Sequence, residues 1–326
     1  TVIDQITDRI LLARKNNASV ILAFGAHLVK NGNAPILIQM MEKGWITHLA
    51  TNGAGGIHDW EFAFQGRSEE DVRANVATGT FGTWEETGKY INLAVQLGAI
   101  RGMGYGESLG AMIENDCLEF PKQDELEYQI VKGIWTEDRY ISAKMELLQT
   151  IKKFKLSGKH LEIEHPFKRY SIAGHAYRLR VPLTIHPGIG YDIIYNNPFA
   201  NGAALGRGAH TDYKCFVHSV KNLTNGVFLS VGSAIMAPQI FEKALSFANN
   251  ILRRQGAKIH NHFLVVDDLQ KSVWDWTHGE PSKESPDYYL RFLNSFYRMG
   301  GEIKYISLDN RLFLQHIYHT LCNKTE

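Results

Sequence analysis

Short apolar segments that run into glycine, separated by helical segments, constrain the fold of this chain most. SVILAF (residues 19–24) precedes a glycine, and the apolar run 46–51 precedes a glycine cluster at 53–56. GVFLSVGS (226–233) repeats the pattern in the second half of the chain. Short buried strands that alternate with helices are typical of a parallel sheet. We therefore predict an α/β fold, doubly wound around a mostly parallel sheet, in a single domain covering residues 1–326.

The other predicted elements keep the same alternation. Helices are predicted over residues 4–15, 34–43, 213–223 and 311–321 and in the segment APQIFEKALSFANNILRRQG, and strands over 161–165, 180–186, 259–266 and 302–307. The least regular segment is 267–287, which we predict to be a long surface excursion. Loops of that length are often functional.

Charge and cysteine content exclude several classes of partner. The chain carries 35 basic and 34 acidic side chains, a formal charge of +1. This balance gives no electrostatic basis for a nucleic-acid or anionic-membrane partner, and no apolar run reaches membrane-spanning length. The three cysteines are far apart and form no CxxC motif. We therefore predict reduced thiols, a cytoplasmic location and no metal site.

Ligands of open α/β sheets bind beyond the carboxyl ends of the strands. Four polar, glycine-bearing segments are predicted there: Gly25-Ala26-His27, Thr51 to Asp59, His186 to Asp192, and Gly232-Ser233. Backbone amides in such places suit phosphate groups. The GxGxxG fingerprint is missing after the first strand, and the Gly102–Gly110 run resembles it only loosely. Although glycines are common at α/β turns, four such segments together predict a nucleotide site.

Histidines supply two further candidates, each with a simpler interpretation. Histidine titrates near neutrality, so His58 could carry a proton, but a first-turn residue packing on Trp60 would also explain it. His260 and His262 would share one face of the predicted strand and could serve a metal. Because the spacing fixes no third ligand, a half-exposed strand face is the simpler interpretation of that pair.

The chain resembles the deoxyhypusine synthase family in the order of five segments. They are GAHLVKNG (25–32), TNGAGGIHD (51–59), HPGIGYD (186–192), GVFLSVGSAIMAPQI (226–240) and IKYISLDNRLF (303–313). The resemblance implies a modified Rossmann-like fold and a homotetramer with NAD at a subunit interface, beside a polyamine pocket. In that family a hydride passes from spermidine to NAD. An aminobutyl group then passes through an imine on a lysine to a lysine of a translation factor.

The resemblance assigns roles to individual residues. The implied NAD contacts are Ala26, His27, Leu28, Gly53, Ala54, Gly55, His186, Gly232, Ser233, Asp309 and Asn310. The implied substrate contacts are His58, Asp59, Asp192 and Gln239. Asp59 and Asp192 would hold ammonium groups of a small amine, and Gln239 replaces a catalytic histidine of the family.

The nucleophilic lysine of the family is the main departure. Counting back without gaps from IKYISLDN places it on Asn294, and no lysine occurs between Lys283 and Lys304. Asparagine cannot form an imine. We therefore expect an NAD-binding protein that oxidises an amine or polyamine, or transfers an aminoalkyl group without the lysine imine, with His58 and Asn294 as catalytic positions. Three alternatives stay open. One is a deoxyhypusine or homospermidine synthase-type transferase that uses another lysine, such as Lys283 or Lys30, and another is a non-catalytic regulatory or scaffold protein. The third is a related Rossmann-like fold that acts on ornithine or lysine derivatives.

Overall fold

A computed structural model describes residues 1–325, apart from the side chains of Thr277 and Arg291. The helices are α1 Val2–Lys15, α2 Ala26–Lys30, α3 Ala34–Glu42, α4 Gly53–Gln65, α5 Val72–Thr78, α6 Glu85–Arg101, α7 Tyr105–Asn115, α8 Gln123–Thr136, α9 Ile141–Phe154, α10 Ile172–Leu179, α11 Gly202–Lys221, α12 Met236–Arg253, α13 Arg291–Arg298 and α14 Asn310–Thr325. The strands are β1 Val20–Phe24, β2 His48–Asn52, β3 Cys117–Glu119, β4 His160–Glu162, β5 Leu183–His186, β6 Val227–Val231, β7 Phe263–Asp267 and β8 Glu302–Ile306.

The described chain divides into two compact units. The first comprises residues 1–55 together with those from 213 to the end of the described chain, and the second comprises residues 56–212. The divisions fall inside α4 and inside α11. The single domain predicted from the sequence stays a prediction.

Parallel strands form the centre of the first unit. They lie side by side in the order β2, β1, β6, β7, β8, and each neighbouring pair is parallel. Every residue of β1, β6 and β7 is buried, as expected of strands with helices covering both faces. The predicted α/β fold with a mostly parallel, Rossmann-like sheet is confirmed.

The strand order of the first unit changes direction at β1. The chain passes from β1 to β2 on one side, and β6, β7 and β8 follow later on the other side of β1. In an open sheet such a reversal leaves a crevice beyond the carboxyl ends of the two strands that flank it, here β1 and β6.

Aromatic packing fixes α12 against the sheet of the first unit. The Phe228 ring of β6 stacks on Phe241 of α12 with 4.2 Å between the ring centroids, and the Phe296 ring of α13 lies 6.1 Å from that of Phe241. Phe241, Ala244 and Ala248 recur at helical spacing and are fully buried. These contacts hold α12 against β6. No helix in the described part of the chain is both long and apolar enough to cross a bilayer.

Glycines allow α7 to pack closely inside the second unit. A Cβ added at Gly106 would lie 1.9 Å from the carbonyl oxygen of Leu183, and one at Gly110 would lie 2.4 Å from the carbonyl oxygen of Ala173 in α10. Both obstacles are backbone atoms, which cannot rotate aside. Close packing therefore explains why Gly106 and Gly110 are glycines. Gly104, in the same run, is the residue that precedes α7.

Most predicted elements are confirmed with small shifts of their ends, but the helix predicted at 213–223 begins already at Gly202, as α11, and two strands are not as predicted. The segment predicted as a strand at 161–165 is β4, which pairs antiparallel with β3 in a separate two-stranded ribbon. The segment predicted at 259–266 becomes a strand only at Phe263, because Asn261 has a left-handed backbone with φ of 52°. His260 and His262 therefore do not share a strand face, and that metal hypothesis loses its basis.

Candidate functional site

Two glycines line the crevice where the strand order reverses. Gly25 follows β1 and Gly232 follows β6, and the Gly25 amide donates to the carbonyl oxygen of Val231 at 3.2 Å. A Cβ on Gly25 would lie 2.1 Å from the carbonyl oxygen of Gly232. Gly232 itself adopts a left-handed conformation with φ of 58°, which favours glycine. Because Gly25 has no side chain, its backbone can lie directly against that of Gly232.

Asn310 and Ser233 stand beside these glycines. A Cβ on Gly232 would lie 2.7 Å from Nδ2 of Asn310, the buried first residue of α14. The Ser233 hydroxyl accepts from the Ala237 amide in the first turn of α12, at 3.3 Å. Three residues predicted to contact a nucleotide, Gly232, Ser233 and Asn310, are therefore gathered at the carboxyl end of the sheet.

The predicted contacts after β1 differ in what they offer a ligand. Ala26 is half-buried and His27 is exposed, whereas the Leu28 side chain is fully buried in the core. Leu28 could therefore contribute only backbone atoms to a ligand. All three belong to α2, which begins directly after Gly25.

The segment TNGAGGIHDW forms the end of β2 and the start of α4, not a left-handed glycine turn. None of its glycines has a positive φ. The Thr51 hydroxyl donates to the Phe24 carbonyl at 3.0 Å, and a Cβ on Gly55 would lie 2.0 Å from that hydroxyl oxygen. The Asn52 side chain accepts from the Gly55 amide at 2.9 Å. Gly55 therefore allows a close approach to the Thr51 side chain, while Gly53 and Ala54 supply the first turn of a helix.

Two aspartates lie near the carboxyl ends of β7 and β8. Asp309 pairs with Arg311 at 2.8 Å, and hydrogen bonds from that arginine lower the pKa of Asp309 to about 2. Asp267, the last residue of β7, is 1% exposed, and neither of its carboxylate oxygens has a hydrogen-bond partner. Burial raises the pKa of Asp267 to about 7, and the nearby Leu308 amide opposes this rise only in part.

Asp267 is a candidate that the sequence reasoning missed. Its backbone carbonyl accepts from the Gly232 amide at 2.9 Å, which places it beside the crevice. The signal in the sequence was an aspartate closing the apolar run FLVV, the position at which strands of open sheets present ligand-binding groups.

Within the second unit, Asp192 and Tyr105 form a buried polar group. Asp192 is 8% exposed and accepts from the Gly188 amide at 2.6 Å, and burial raises its pKa. Tyr105 is fully buried with no hydrogen-bond partner for its hydroxyl. Burial and then the charge of Asp192 raise the pKa of Tyr105.

His186 lies at the end of β5 and contacts Thr184 at 3.0 Å. Burial lowers the pKa of His186 to about 4, so its ring is neutral at pH 7.

His58 belongs to a hydrogen-bonded network in the second unit. Its Nδ1 bonds to the Ser68 hydroxyl, and that hydroxyl donates to Glu61. Thr87 donates to the other Glu61 oxygen at 3.0 Å. Burial acts to raise the pKa of Glu61, but hydrogen bonds from His58, Ser68 and Thr87 outweigh it and lower that pKa. The only proton of Ser68 goes to Glu61, so Nδ1 of His58 is the donor in its bond to Ser68.

Asp59 is engaged in capping α10. Its carboxylate accepts from the Ser171 hydroxyl at 2.6 Å and from the amides of Ile172 and Ala173 at 2.7 and 3.0 Å. Asp59 is 3% exposed. These bonds satisfy the free amides at the start of α10. The predicted contact of Asp59 with a substrate ammonium stays a prediction, and the structure supplies a different use for this carboxylate.

Gln239 and Asn294 lie on separate helices of the first unit. Gln239 is exposed in the first turn of α12. Asn294 is 5% exposed and donates through Nδ2 to Glu280 at 2.8 Å, while its Oδ1 has no partner. Arg298 donates to the same Glu280 oxygen at 2.8 Å. Asn294 is thus held in place by an acid that also binds an arginine.

Comparisons with known proteins identify no family. Neither a protein-family model nor a curated protein sequence matches the chain. Among solved structures, similar ones include the ternary complex of AgrE with ornithine and NAD⁺ (12% identity, TM-score 0.49, 99% of this chain and 33% of that chain). A conserved LOR/SDH protein from Methanococcus maripaludis S2 (11%, 0.48, 100% and 68%) and ArgZ, an arginine dihydrolase from the ornithine-ammonia cycle in Cyanobacteria (12%, 0.45, 99% and 32%), are similar too. The chain spans about a third of the length of AgrE and ArgZ. Likeness at this level carries no argument about activity, and the deoxyhypusine synthase resemblance stays a prediction.

Proposed function

We propose that the chain is an NAD-binding enzyme that acts on a small amine. The observation that carries the proposal is the crevice between β1 and β6, where Gly25 and Gly232 leave no room for a Cβ. Strand reversals of this kind bind dinucleotides, and side-chain-free residues let the backbone approach a pyrophosphate. Asn310 beside Gly232 adds an amide that can bond to a ribose or phosphate oxygen.

The residues of the crevice are suited to a dinucleotide. Oxidation of an amine by that nucleotide also requires a base that takes up a proton. When bound, NAD would supply a hydride acceptor for the carbon that carries the amine. The nitrogen on that carbon must give up its ammonium proton to a base before the hydride leaves, because only the neutral amine has the lone pair that forms the C=N bond. His58 is the proposed base, because its Nδ1 is held by the Ser68–Glu61 network, which leaves Nε2 as the ring nitrogen that could take up the proton, and because its side chain is 24% exposed.

The ammonium group of the substrate needs a carboxylate that is not already saturated. Asp59 accepts three hydrogen bonds at the start of α10, which favours two other acids for this role. Asp192 receives one bond, from Gly188, and lies near the unpaired hydroxyl of Tyr105. Asp267, unpartnered and buried, is the matching candidate in the first unit. A buried carboxylate without a partner is costly unless a ligand supplies one.

The lysine-imine route finds no support in the side chains around Asn294. Asn294 is occupied with Glu280, and Lys30 and Lys283 are both exposed. Imine-forming lysines are desolvated or placed beside other cations. We therefore propose amine oxidation, or transfer through a free imine, in preference to a lysine-bound intermediate.

Calorimetric titration with NAD tests the first half of this proposal. We expect binding by the native chain and a loss of at least about tenfold, or about 1.4 kcal/mol, in Ala26→Trp, because the indole would fill the crevice entrance beside Gly25. Ala257→Trp is the matched control, since Ala257 is exposed in the connection that leads to the amino end of β7. Absence of binding at millimolar NAD, or equal affinity in Ala26→Trp, would contradict the proposed site.

Turnover tests the second half. Incubation with NAD and a panel of diamines and polyamines, including spermidine, should give NADH, and His58→Asn should lower the rate by about 100-fold or more. Asparagine retains a donor for Ser68 but cannot carry a proton, so the variant separates proton transfer from folding. Borohydride trapping with spermidine and NAD decides the route. A labelled lysine would overturn the proposed route in favour of a lysine-based transferase, and a blank trap alongside NADH formation supports amine oxidation.

A further inference from the structure

The ribbon of β3 and β4 has one apolar face and one face that carries metal-binding groups. The strands read CLE and HLE, and in the antiparallel register Leu118 lies opposite Leu161. Residues directly opposite one another share a face, and residues two apart share it as well. The other face therefore carries Cys117 opposite Glu162 and Glu119 opposite His160.

Three of these side chains already converge. Each of Cys117, Glu119 and His160 offers one ligand atom, and these three atoms lie within 4.8 Å of one another. The distance between His160 Nδ1 and Glu119 Oε1 is 3.5 Å. Bonds of about 2.0–2.3 Å around a tetrahedral ion separate its ligand atoms by roughly 3.3–3.8 Å. The imidazole–carboxylate pair is thus at ligand spacing, and the thiol needs a shift of about an ångström.

The ribbon also borders a cleft inside the second unit. Cys117 and Glu119 line a cleft of about 380 Å³ together with polar groups of α6 and α7, among them Arg101, Ser108 and Asn115. Cys117 is half-buried, whereas Glu119 and His160 are exposed and free to reorient. An ion held by the three side chains would therefore sit at the wall of this cleft.

We propose that Cys117, Glu119 and His160 bind a divalent transition-metal ion, with Zn²⁺ as the fitting class. A thiolate with an imidazole selects Zn²⁺ over Mg²⁺ or Ca²⁺, which prefer oxygen ligands alone. Three protein ligands leave a fourth position for water or a small ligand, the arrangement of reactive rather than purely structural zinc sites. Glu162, exposed on the same face, is placed to accept from the imidazole or from that water. The site does not depend on NAD binding.

Residue spacing concealed these ligands. Glu119 and His160 come from strands separated by α8 and α9, so no CxxC or HxxxH motif marks them. The absence of a metal site predicted from the three isolated cysteines rested on such motifs, and antiparallel pairing supplies the convergence that sequence spacing does not.

Titration of the full chain with Co²⁺ as a spectroscopic probe tests the proposal. We expect a thiolate-to-cobalt charge-transfer band and intense d–d absorption, both removed by addition of Zn²⁺. Cys117→Ser should abolish the charge-transfer band. Cys322→Ser, which alters another half-buried thiol far along the chain, should leave it unchanged. A band that survives Cys117→Ser, or no band at excess Co²⁺, would overturn the proposal.

Competition with a chromogenic zinc chelator measures the other two ligands. Glu119→Gln and His160→Ala should each weaken Zn²⁺ binding by at least about tenfold, since even outer-sphere substitutions reach that loss. Both positions are exposed, so the fold should be unaffected, and circular dichroism would confirm it. Unchanged zinc affinity in both variants would rule out this ligand set.

Discussion

Asp59 and Asp267 are both buried acids, but they differ in what surrounds them. Asp59 accepts three hydrogen bonds, two of them from amides at the start of α10. Asp267 ends β7 with neither oxygen paired. A saturated carboxylate stabilises the helix it caps, whereas an unpaired one costs free energy until a ligand or a proton satisfies it.

Asp59→Ala should destabilise the chain by about 3 kcal/mol, because it leaves buried amides of α10 without an acceptor. The control is Asp71→Ala, which removes the cap of α5, a helix with no buried residue, where Asp71 accepts from Ala74 at 3.0 Å. That loss should be about 1 kcal/mol. Urea denaturation measures both. Equal losses of unfolding free energy in the two variants would show that Asp59 is not a structural acceptor, and would leave its carboxylate available for contact with substrate.

Asp267→Asn should change the pH dependence of stability. The folded pKa of Asp267 is about 7 against an ordinary 3.8, so between these values the folded chain binds more protons than the unfolded chain. The native protein therefore loses stability as pH rises through that window. Since asparagine does not titrate, the unfolding free energy of the variant relative to the native chain should increase by up to about 4 kcal/mol from pH 4 to pH 7. Parallel pH profiles would mean that the carboxylate has a partner in solution.

At the scale of elements, periodicity identified the strands of the parallel sheet but not the points where backbone geometry intervenes. The runs at β1, β2 and β6 are apolar because those strands are buried, so their pattern is unambiguous. The polar residues 260–262 (HNH) before β7 were predicted to belong to the strand, because nothing in their sequence indicates the left-handed backbone at Asn261.

The candidate site was predictable where glycine-bearing segments follow buried strands, as at Gly25 and Gly232. Contacts made over long sequence distances were not predictable. Asp59 meets Ser171 across more than a hundred residues, and Thr87 reaches Glu61 across 26 residues. Side-chain spacing within one segment carries no signal for such pairings. His58 and Glu61 do stand three residues apart on α4, a spacing that places side chains together, but the Ser68 hydroxyl that joins them lies beyond the end of the helix.

Two helical glycines should respond oppositely to alanine. Gly110→Ala in α7 should destabilise the second unit by several kcal/mol, since its Cβ would lie 2.4 Å from a backbone oxygen of α10. Gly206→Ala in the exposed part of α11, where no atom outside its own surroundings lies within 4 Å of the added Cβ, should stabilise by about 0.5–1 kcal/mol. Thermal unfolding of both variants measures the difference. A stabilised Gly110→Ala would mean that α7 and α10 are not packed as described.

For the whole molecule, the predicted homotetramer requires an apolar surface that copies of the chain can bury. Along α8, Tyr128, Val131 and Trp135 are 66%, 59% and 84% exposed, and their spacing puts them on one face of the helix. Leu126 and Gly133 of the same helix are buried. Contiguous exposed apolar groups of this kind are uncommon on monomers and mark interaction surfaces.

Trp135→Glu should therefore lower the molecular mass of the protein measured by light scattering. Burying a glutamate without a partner would cost more than the interface gains from its remaining contacts. Val273→Glu is the matched control, because Val273 is 94% exposed in the irregular segment before α13 and stands outside the α8 face. A native chain that is monomeric at micromolar concentration would contradict the homotetramer itself. A tetramer that withstands Trp135→Glu would instead place its interface on another surface and leave the α8 face for a different partner.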